Sequence, residues 1–341
     1  MPIIEALLYF LAFAICIYSS ITDLKHGIVS NKALLYALLP CILLNTVYYG
    51  FFCRDILAEY LLNCLAVAAI SVLFYAIHVW GGGDSKMLLF LAVSTPARLY
   101  YYYGQELLPL LSVVIFTFSV GYIYLIFHSG YCAVKKTEVY KSQIDKHSII
   151  CFMKDYVVGS IYLTLLINLI SRFFNGFYYD NQVLFLFVNV FLIMLIFRVP
   201  LFRKKWLLIL CAAADILFAI STKSFAGADA LWVYLVIVLL FILRQLISRY
   251  NYQSIPVSDL KPGMILSAPN VIMMLPSGIA DLPTGLKEDL SCKLTEPQIS
   301  AVKKWYSKHK DRQSITIVRK IPFALFISMG YFLFALLGLI R

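Results

Sequence analysis

The stretch ILAEYLLNCLAVAAISVLFYAIHVWGGGDSKMLLF, residues 56–90, joins a long apolar run to three glycines, an aspartate and a lysine. The run 56–79 is long enough to cross a hydrocarbon core of about 30 Å as a helix. Consecutive glycines disfavour helix, so they predict that this span ends near residue 80. Apolar residues resume at Met87, which predicts that a second span begins directly after a short polar turn.

Apolar runs of similar length recur along most of the chain, whose 341 residues are 62% hydrophobic and only 14% charged. Soluble domains have about a quarter charged residues. We therefore predict an all-α polytopic membrane protein with about ten transmembrane helices. The predicted spans are residues 3–21, 33–50, 56–79, 87–104, 107–127, 157–174, 183–199, 206–222, 229–247 and 321–340.

The distribution of lysine and arginine predicts the orientation of these spans. With the N-terminus outside, the inner loops carry fourteen lysines and arginines and the outer loops and C-terminus carry five. The polar segment 250–320 then lies in the cytoplasm. The net charge of +11 follows mostly from this bias, with some attraction to anionic membrane lipid, and it predicts no nucleic-acid partner.

Four regions follow from this pattern. Residues 1–127 form a core of five spans, and residues 128–249 form a basic connector with four more spans. Residues 250–320 predict a small α+β cytoplasmic domain, and residues 321–341 form the final transmembrane helix. Within the domain, Thr295 is a candidate N-cap for an amphipathic helix, and SITIV, 314–318, alternates like an edge strand. A docking or regulatory module is the preferred interpretation of this domain.

Two aspartates lie at predicted inner ends of spans. Asp84 follows the glycines and could simply cap the next helix, whereas Asp23 ends the first span. At similar depth, the two carboxyl groups could face each other and share one proton. Such a pair supplies a base that activates water and an acid that protonates a leaving amine, which is aspartic-protease chemistry. The residues do not indicate which aspartate is the base.

Both segments carry a recognisable motif. Residues 81–86, GGGDSK, fit G-x-G-D-x-K, and residues 23–31, DLKHGIVSN, fit D-[LI]-[KR]-x-x-x-[IV]-P-N except that Ser30 replaces proline. In these motifs the chain resembles the type IV prepilin peptidases, a branch of the GxGD intramembrane aspartyl proteases. Residues 320–330, KIPFALFISMG, resemble the I-P-F-x-x-F segment that opens the last span of bacterial members. The resemblance covers roughly 1–127 and 319–341.

The resemblance implies a membrane aspartyl endopeptidase with Asp23 and Asp84 as its catalytic pair. It would remove the leader peptide of type IV pilin-like precursors at the cytoplasmic membrane face. Residues expected to bind substrate or shape the site are Gly81, Gly83, Lys86, Lys25 and Asn31. Bifunctional members carry a domain with paired C-x-x-C motifs between the first two spans, and this chain has none there. We therefore expect no N-methyltransferase activity, no metal and no cofactor.

Two other functions remain open from the sequence alone. A polytopic secondary transporter or channel would suit ten spans, a broken helix near Gly81 and the intramembrane Asp215. Asp215 could equally pair with a neighbouring helix. A non-catalytic scaffold could assemble pilus or secretion machinery through residues 250–320, and the same surface could also recruit such machinery to a peptidase.

Overall fold

The computed structural model describes residues 2–76, 80–104, 106–134, 146–222, 252–267, 270–271, 274, 294–308, 314–318 and 322–340. Most of these residues are helical, and a small sheet lies near the C-terminus. The helices are α1 Pro2–His26, α2 Asn31–Val47, α3 Leu57–Ala76, α4 Gly82–Val93, α5 Ala97–Tyr102, α6 Leu111–Val134, α7 Lys146–Asp180, α8 Gln182–Arg198, α9 Lys205–Thr222, α10 Glu296–Lys308 and α11 Phe323–Ile340. The strands are β1 Tyr252–Pro256, β2 Ile265–Leu266 and β3 Ser314–Val318.

Several helices have the length and composition of membrane spans. Within the described residues, five are long and apolar enough to cross a membrane, namely Pro2–His26, Asn31–Phe52, Arg54–Ala76, Leu111–His128 and Met153–Asp180. The polytopic helical class is therefore confirmed. The predicted span 229–247 lies outside the described residues, and the total of about ten spans stays a prediction.

The region predicted as one span over residues 87–104 is instead divided into two helices. α4 ends at Val93 and α5 begins at Ala97, because Pro96 cannot continue the hydrogen-bond ladder of α4. Ser94 and Thr95, at the end of α4, are fully buried. Both hydroxyls donate to the carbonyl of Leu91, which has no N–H partner four residues further along because the helix ends there. The prediction of one continuous span over residues 87–104 is therefore wrong, because the apolar run contains a proline that interrupts the helix.

The last helix belongs to the N-terminal bundle. α11 packs against α1 and α6, and its buried residues join the same apolar core as those of α1 to α5. At Gly330 the backbones of α11 and α6 nearly touch, because a Cβ there would lie 2.7 Å from the backbone nitrogen of Thr117. Small residues allow such close helix contacts inside membranes. The bundle that carries both motifs is thus closed by a segment from the opposite end of the chain.

A second helical group is formed by α7, α8 and α9. The Tyr162 hydroxyl of α7 donates to the carbonyl of Phe202, 2.8 Å away, just before α9. Within the membrane-length part of this group, Asn168 Nδ2 of α7 lies 3.4 Å from Asp215 Oδ1 of α9. The interpretation of Asp215 as a partner for a neighbouring helix is therefore supported by a contact.

The small domain contains a three-stranded antiparallel sheet in the order β1-β3-β2, with α10 contributing to one buried cluster. The predicted helix after Thr295 is confirmed, and the Thr295 N–H donates to Gln298 Oε1 at 2.9 Å. The prediction of SITIV as an edge strand was wrong, because β3 pairs on both sides. Its alternation reflects one buried face, with Ile315 and Ile317 in the cluster, and such a pattern does not distinguish edge from centre.

Candidate active site

Asp23 lies in the last turn of α1 and is buried, with 8% of its surface exposed. Its Oδ2 accepts the backbone N–H of Ala324, in the first turn of α11, at 3.2 Å. The carboxyl-terminal end of a helix carries a partial negative charge and disfavours an anion. The amino-terminal end of α11 has the opposite polarity, so it compensates the carboxylate of Asp23.

The connector after Asp23 is short and well defined. Gly27 adopts a left-handed φ of 65°, and its N–H donates to the carbonyl of Asp23 at 2.8 Å, which ends α1. Ser30 is the N-cap of α2, and its Oγ accepts the Ala33 N–H at 3.4 Å. The φ of Ser30 is −73°, which a proline could also adopt. The one departure from the motif therefore keeps the backbone conformation and adds a helix cap.

The glycine turn positions Asp84 as the third residue of α4, as predicted. Gly81 is the N-cap, and its N–H donates to Asp84 Oδ2 at 3.1 Å. A Cβ at Gly81 would lie 3.3 Å from the same oxygen. Asp84 therefore does cap its helix, and this capping holds a half-buried carboxylate against the turn. Ser85 Oγ donates to the carbonyl of Ser71 at 3.0 Å, which fixes the turn to α3.

Two contacts join the segments that carry Asp23 and Asp84. Lys86 Nζ donates to Asn31 Oδ1 at 3.0 Å. A Cβ at Gly83 would lie only 3.0 Å from Cβ of Val29, so this glycine allows α4 to approach the connector closely. Since residues 29–31 and 83–86 lie against each other, both motifs occupy the same end of the bundle.

Trp80 extends this site toward α11. Its ring is buried and stacks on Phe118 of α6, with centroids 6.0 Å apart. The same indole meets Phe323 edge-on at 6.4 Å, one residue before the Ala324 N–H that binds Asp23. A chain of contacts therefore runs from the glycine turn through Trp80 and the first turn of α11 to Asp23.

The remaining predicted site residue, Lys25, lies in the last turn of α1 with its side chain exposed. The lysine that bridges the two motifs is Lys86, which donates to Asn31. Asp215 belongs to the second helical group, where Asn168 is its neighbour. In the described part of the chain, no group of three or more His, Cys, Asp or Glu side chains could hold a metal ion.

Two residues of this site were not singled out from the sequence. Trp80 directly precedes the glycines, and its apolar neighbours gave no signal that distinguishes it from ordinary core residues. Ala324 lies inside the I-P-F-x-x-F segment, which did point to the region. Its contribution is a backbone N–H, so the identity of its side chain carries no information about the contact.

Two comparisons with known proteins agree with the motifs at this site. Residues 10–127 match the family model described as the type IV leader peptidase family, which confirms the resemblance predicted from the two motifs. The chain is also 21% identical, over 353 residues, to prepilin peptidase EppA of Methanocaldococcus jannaschii. That alignment covers 95% of this chain and 94% of the relative, so most of residues 128–318 fall within it. No solved structure matches the chain.

Proposed function

We propose that the protein is a membrane aspartyl endopeptidase whose catalytic pair is Asp23 and Asp84. The observation that carries this proposal is the meeting of the two motif segments at Gly83 and Val29 and at Lys86 and Asn31. The match of residues 10–127 to a leader peptidase family supports it. Neither motif alone would define a protease, but together at one end of the bundle they supply the required groups.

The chemistry needs two carboxyl groups that hold one proton between them. The ionised carboxylate takes a proton from water as the water oxygen bonds to the peptide carbonyl carbon. The protonated carboxyl then gives its proton to the amide nitrogen as the carbon–nitrogen bond breaks. The products are a new carboxyl terminus on the leader and a free amine on the mature protein, and no metal or cofactor takes part.

The other predicted residues shape this site in the proposal. Gly83 keeps the turn close to Val29, and Gly81 leaves room beside the carboxylate of Asp84. Lys86 and Asn31 fix the two motifs relative to each other and offer polar groups to the substrate. Lys25, which is exposed at the end of α1, is available to an acidic group of the substrate or to anionic lipid.

The proposed substrates are pilin-like precursors, which combine a short leader with a hydrophobic helix. This assignment is supported by the family of residues 10–127 and by a relative named as a prepilin peptidase. The proposed location is the cell membrane, with the N-terminus outside and the active site on the cytoplasmic side. The connector 27–30 between α1 and α2 is too short to hold another domain, so we propose peptidase activity without N-methylation.

The test is cleavage of a purified pilin-like precursor by the purified full chain in liposomes, with mass spectrometry to locate the broken bond. We expect one cut, after a glycine and directly before the hydrophobic helix. The matched substrate control replaces that glycine with a bulky residue and should stay intact. If several precursors that differ in leader sequence remain whole while the protein is folded, the peptidase proposal is wrong and transport should be assayed.

A further inference from the structure

The carboxylate of Asp23 accepts a hydrogen bond from a backbone group of the last helix. Asp23 is buried at the carboxyl-terminal end of α1, where the polarity of its own helix disfavours an anion. The Ala324 N–H compensates it at 3.2 Å, from a residue 301 positions away in sequence. Since N–H groups in the first turn of a helix lack acceptors within the helix, this one can serve the carboxylate without cost to α11.

Neighbouring helices hold α11 one to two turns beyond Ala324. On the α1 side, Ser328 Oγ lies 2.9 Å from Ser20 Oγ and 3.1 Å from the carbonyl of Cys16. On the α6 side, the backbone of α11 at Gly330 packs closely against Thr117. These contacts help to keep the Ala324 N–H beside Asp23, and a group that orients a catalytic carboxylate must be held in place.

We propose that the Ala324 N–H is a positioning group for Asp23 and that the last helix thereby completes the active site. This inference rests on the proposed peptidase function and adds a specific backbone group to it. By fixing one oxygen, the N–H sets the plane in which the carboxylate meets the attacking water. A misaligned carboxylate would slow the chemical step while leaving precursor binding, which involves other surfaces, unchanged.

A side-chain substitution cannot remove a backbone donor, so the test replaces the amide itself. Cell-free synthesis of the full chain into liposomes, with lactic acid at position 324, exchanges the N–H for an ester oxygen and keeps the methyl side chain. The matched control places leucic acid at position 325, the next residue of the same turn. Each ester replaces one backbone N–H in the first turn of α11, but only the first removes the hydrogen bond from residue 324 to Asp23.

We expect the ester at 324 to lower kcat for precursor cleavage roughly tenfold or more, as loss of a hydrogen bond to a charged group predicts. KM should stay within twofold of wild type, and the ester at 325 should leave both constants within twofold. Equal kcat values for the two esters would overturn the inference. If wild type itself cleaves nothing, the proposed function has failed, which is a distinguishable result.

Ser328→Ala provides a second test by ordinary mutagenesis. It removes the hydrogen bonds of Ser328 to Ser20 and Cys16 of α1 but keeps the Ala324 N–H. Because the donor to Asp23 is still present and Gly330 still packs against α6, kcat per folded molecule should fall clearly less than with the ester at 324. A loss as large as that of the ester would assign the effect to the packing of α11 as a whole and contradict a specific role for the N–H.

Discussion

At the scale of single residues, the two aspartates lie in different electrostatic environments, one at the end of a helix and one at the start. Asp84 lies in the first turn of its own helix, where a carboxylate is stabilised, and it accepts the Gly81 N–H. Asp23 lies at the unfavourable end of α1 and accepts an N–H from the first turn of α11. The half-buried and the buried carboxyl groups therefore differ in environment, and the proposed catalytic pair requires such a difference if one group is to act as acid and the other as base.

The contact of Gly83 with Val29 gives a prediction at this scale. Gly83→Ala adds a Cβ at 3.0 Å from Cβ of Val29, so the connector or the turn must shift. Because small displacements of reacting groups slow catalysis, we expect cleavage of the precursor to fall about tenfold. Kinetics of the purified variant measure this effect.

The double variant Gly83→Ala with Val29→Gly is the control. It removes Cβ and Cγ2 of Val29, the side-chain atoms that the new Cβ meets, so activity should return to within about threefold of wild type. Full activity of the single variant would show that the close approach does not shape the site. A double variant as slow as the single one would place the cause elsewhere in the turn.

At the scale of elements, the fold depends on the closeness of α6 and α11. The Cβ of an alanine at Gly330 would lie 2.6 Å from Oγ1 and 2.7 Å from the backbone nitrogen of Thr117. Backbone atoms cannot yield as a side chain can. We therefore expect Gly330→Ala to destabilise the protein by about 1–3 kcal/mol and to lower its melting temperature in detergent.

Gly130→Ala is the matched control, because Gly130 also lies in a helix but has nothing within 4 Å of its added Cβ. Alanine is a better helix former than glycine, so this variant should match wild type or exceed its stability by about 0.5–1 kcal/mol. Equal melting temperatures for the Gly330 and Gly130 variants would contradict the description of how α11 packs on α6.

The sequence predicted most of the elements but not their long-range contacts. Apolar runs marked α1 to α3, and the Thr295 cap marked α10, because these signals are local. The break between α4 and α5 was missed although Pro96 is visible in the sequence. The central position of β3 and the donation from Ala324 to Asp23 depend on pairing between distant segments, for which a single sequence has no signal.

At the scale of the whole molecule, the bundle is built from both ends of the chain. α11 closes the core that carries the two motifs, and β3 ends only a few residues before α11 begins. The small domain of β1 to β3 and α10 therefore leads directly into the helix that contacts Asp23.

The orientation of the molecule gives a prediction at this scale. With the N-terminus outside, the exposed Phe51 lies on the outer side and the exposed Ser300 of α10 lies in the cytoplasm. In intact cells, we expect Phe51→Cys to react with a membrane-impermeant maleimide and Ser300→Cys to react only after lysis. Unsubstituted protein supplies the background from the native thiols. The reversed labelling pattern would invert the proposed topology.

The central claim is that Asp23 and Asp84 act together as one proteolytic pair. The most direct measurement compares precursor cleavage by wild type, Asp23→Asn and Asp84→Asn in liposomes. Each asparagine keeps an oxygen that can accept the Ala324 or Gly81 N–H, so both variants should fold and show wild-type elution in size-exclusion chromatography. We predict that each loses at least about 100-fold in cleavage rate. Wild-type cleavage by either folded variant would contradict the account.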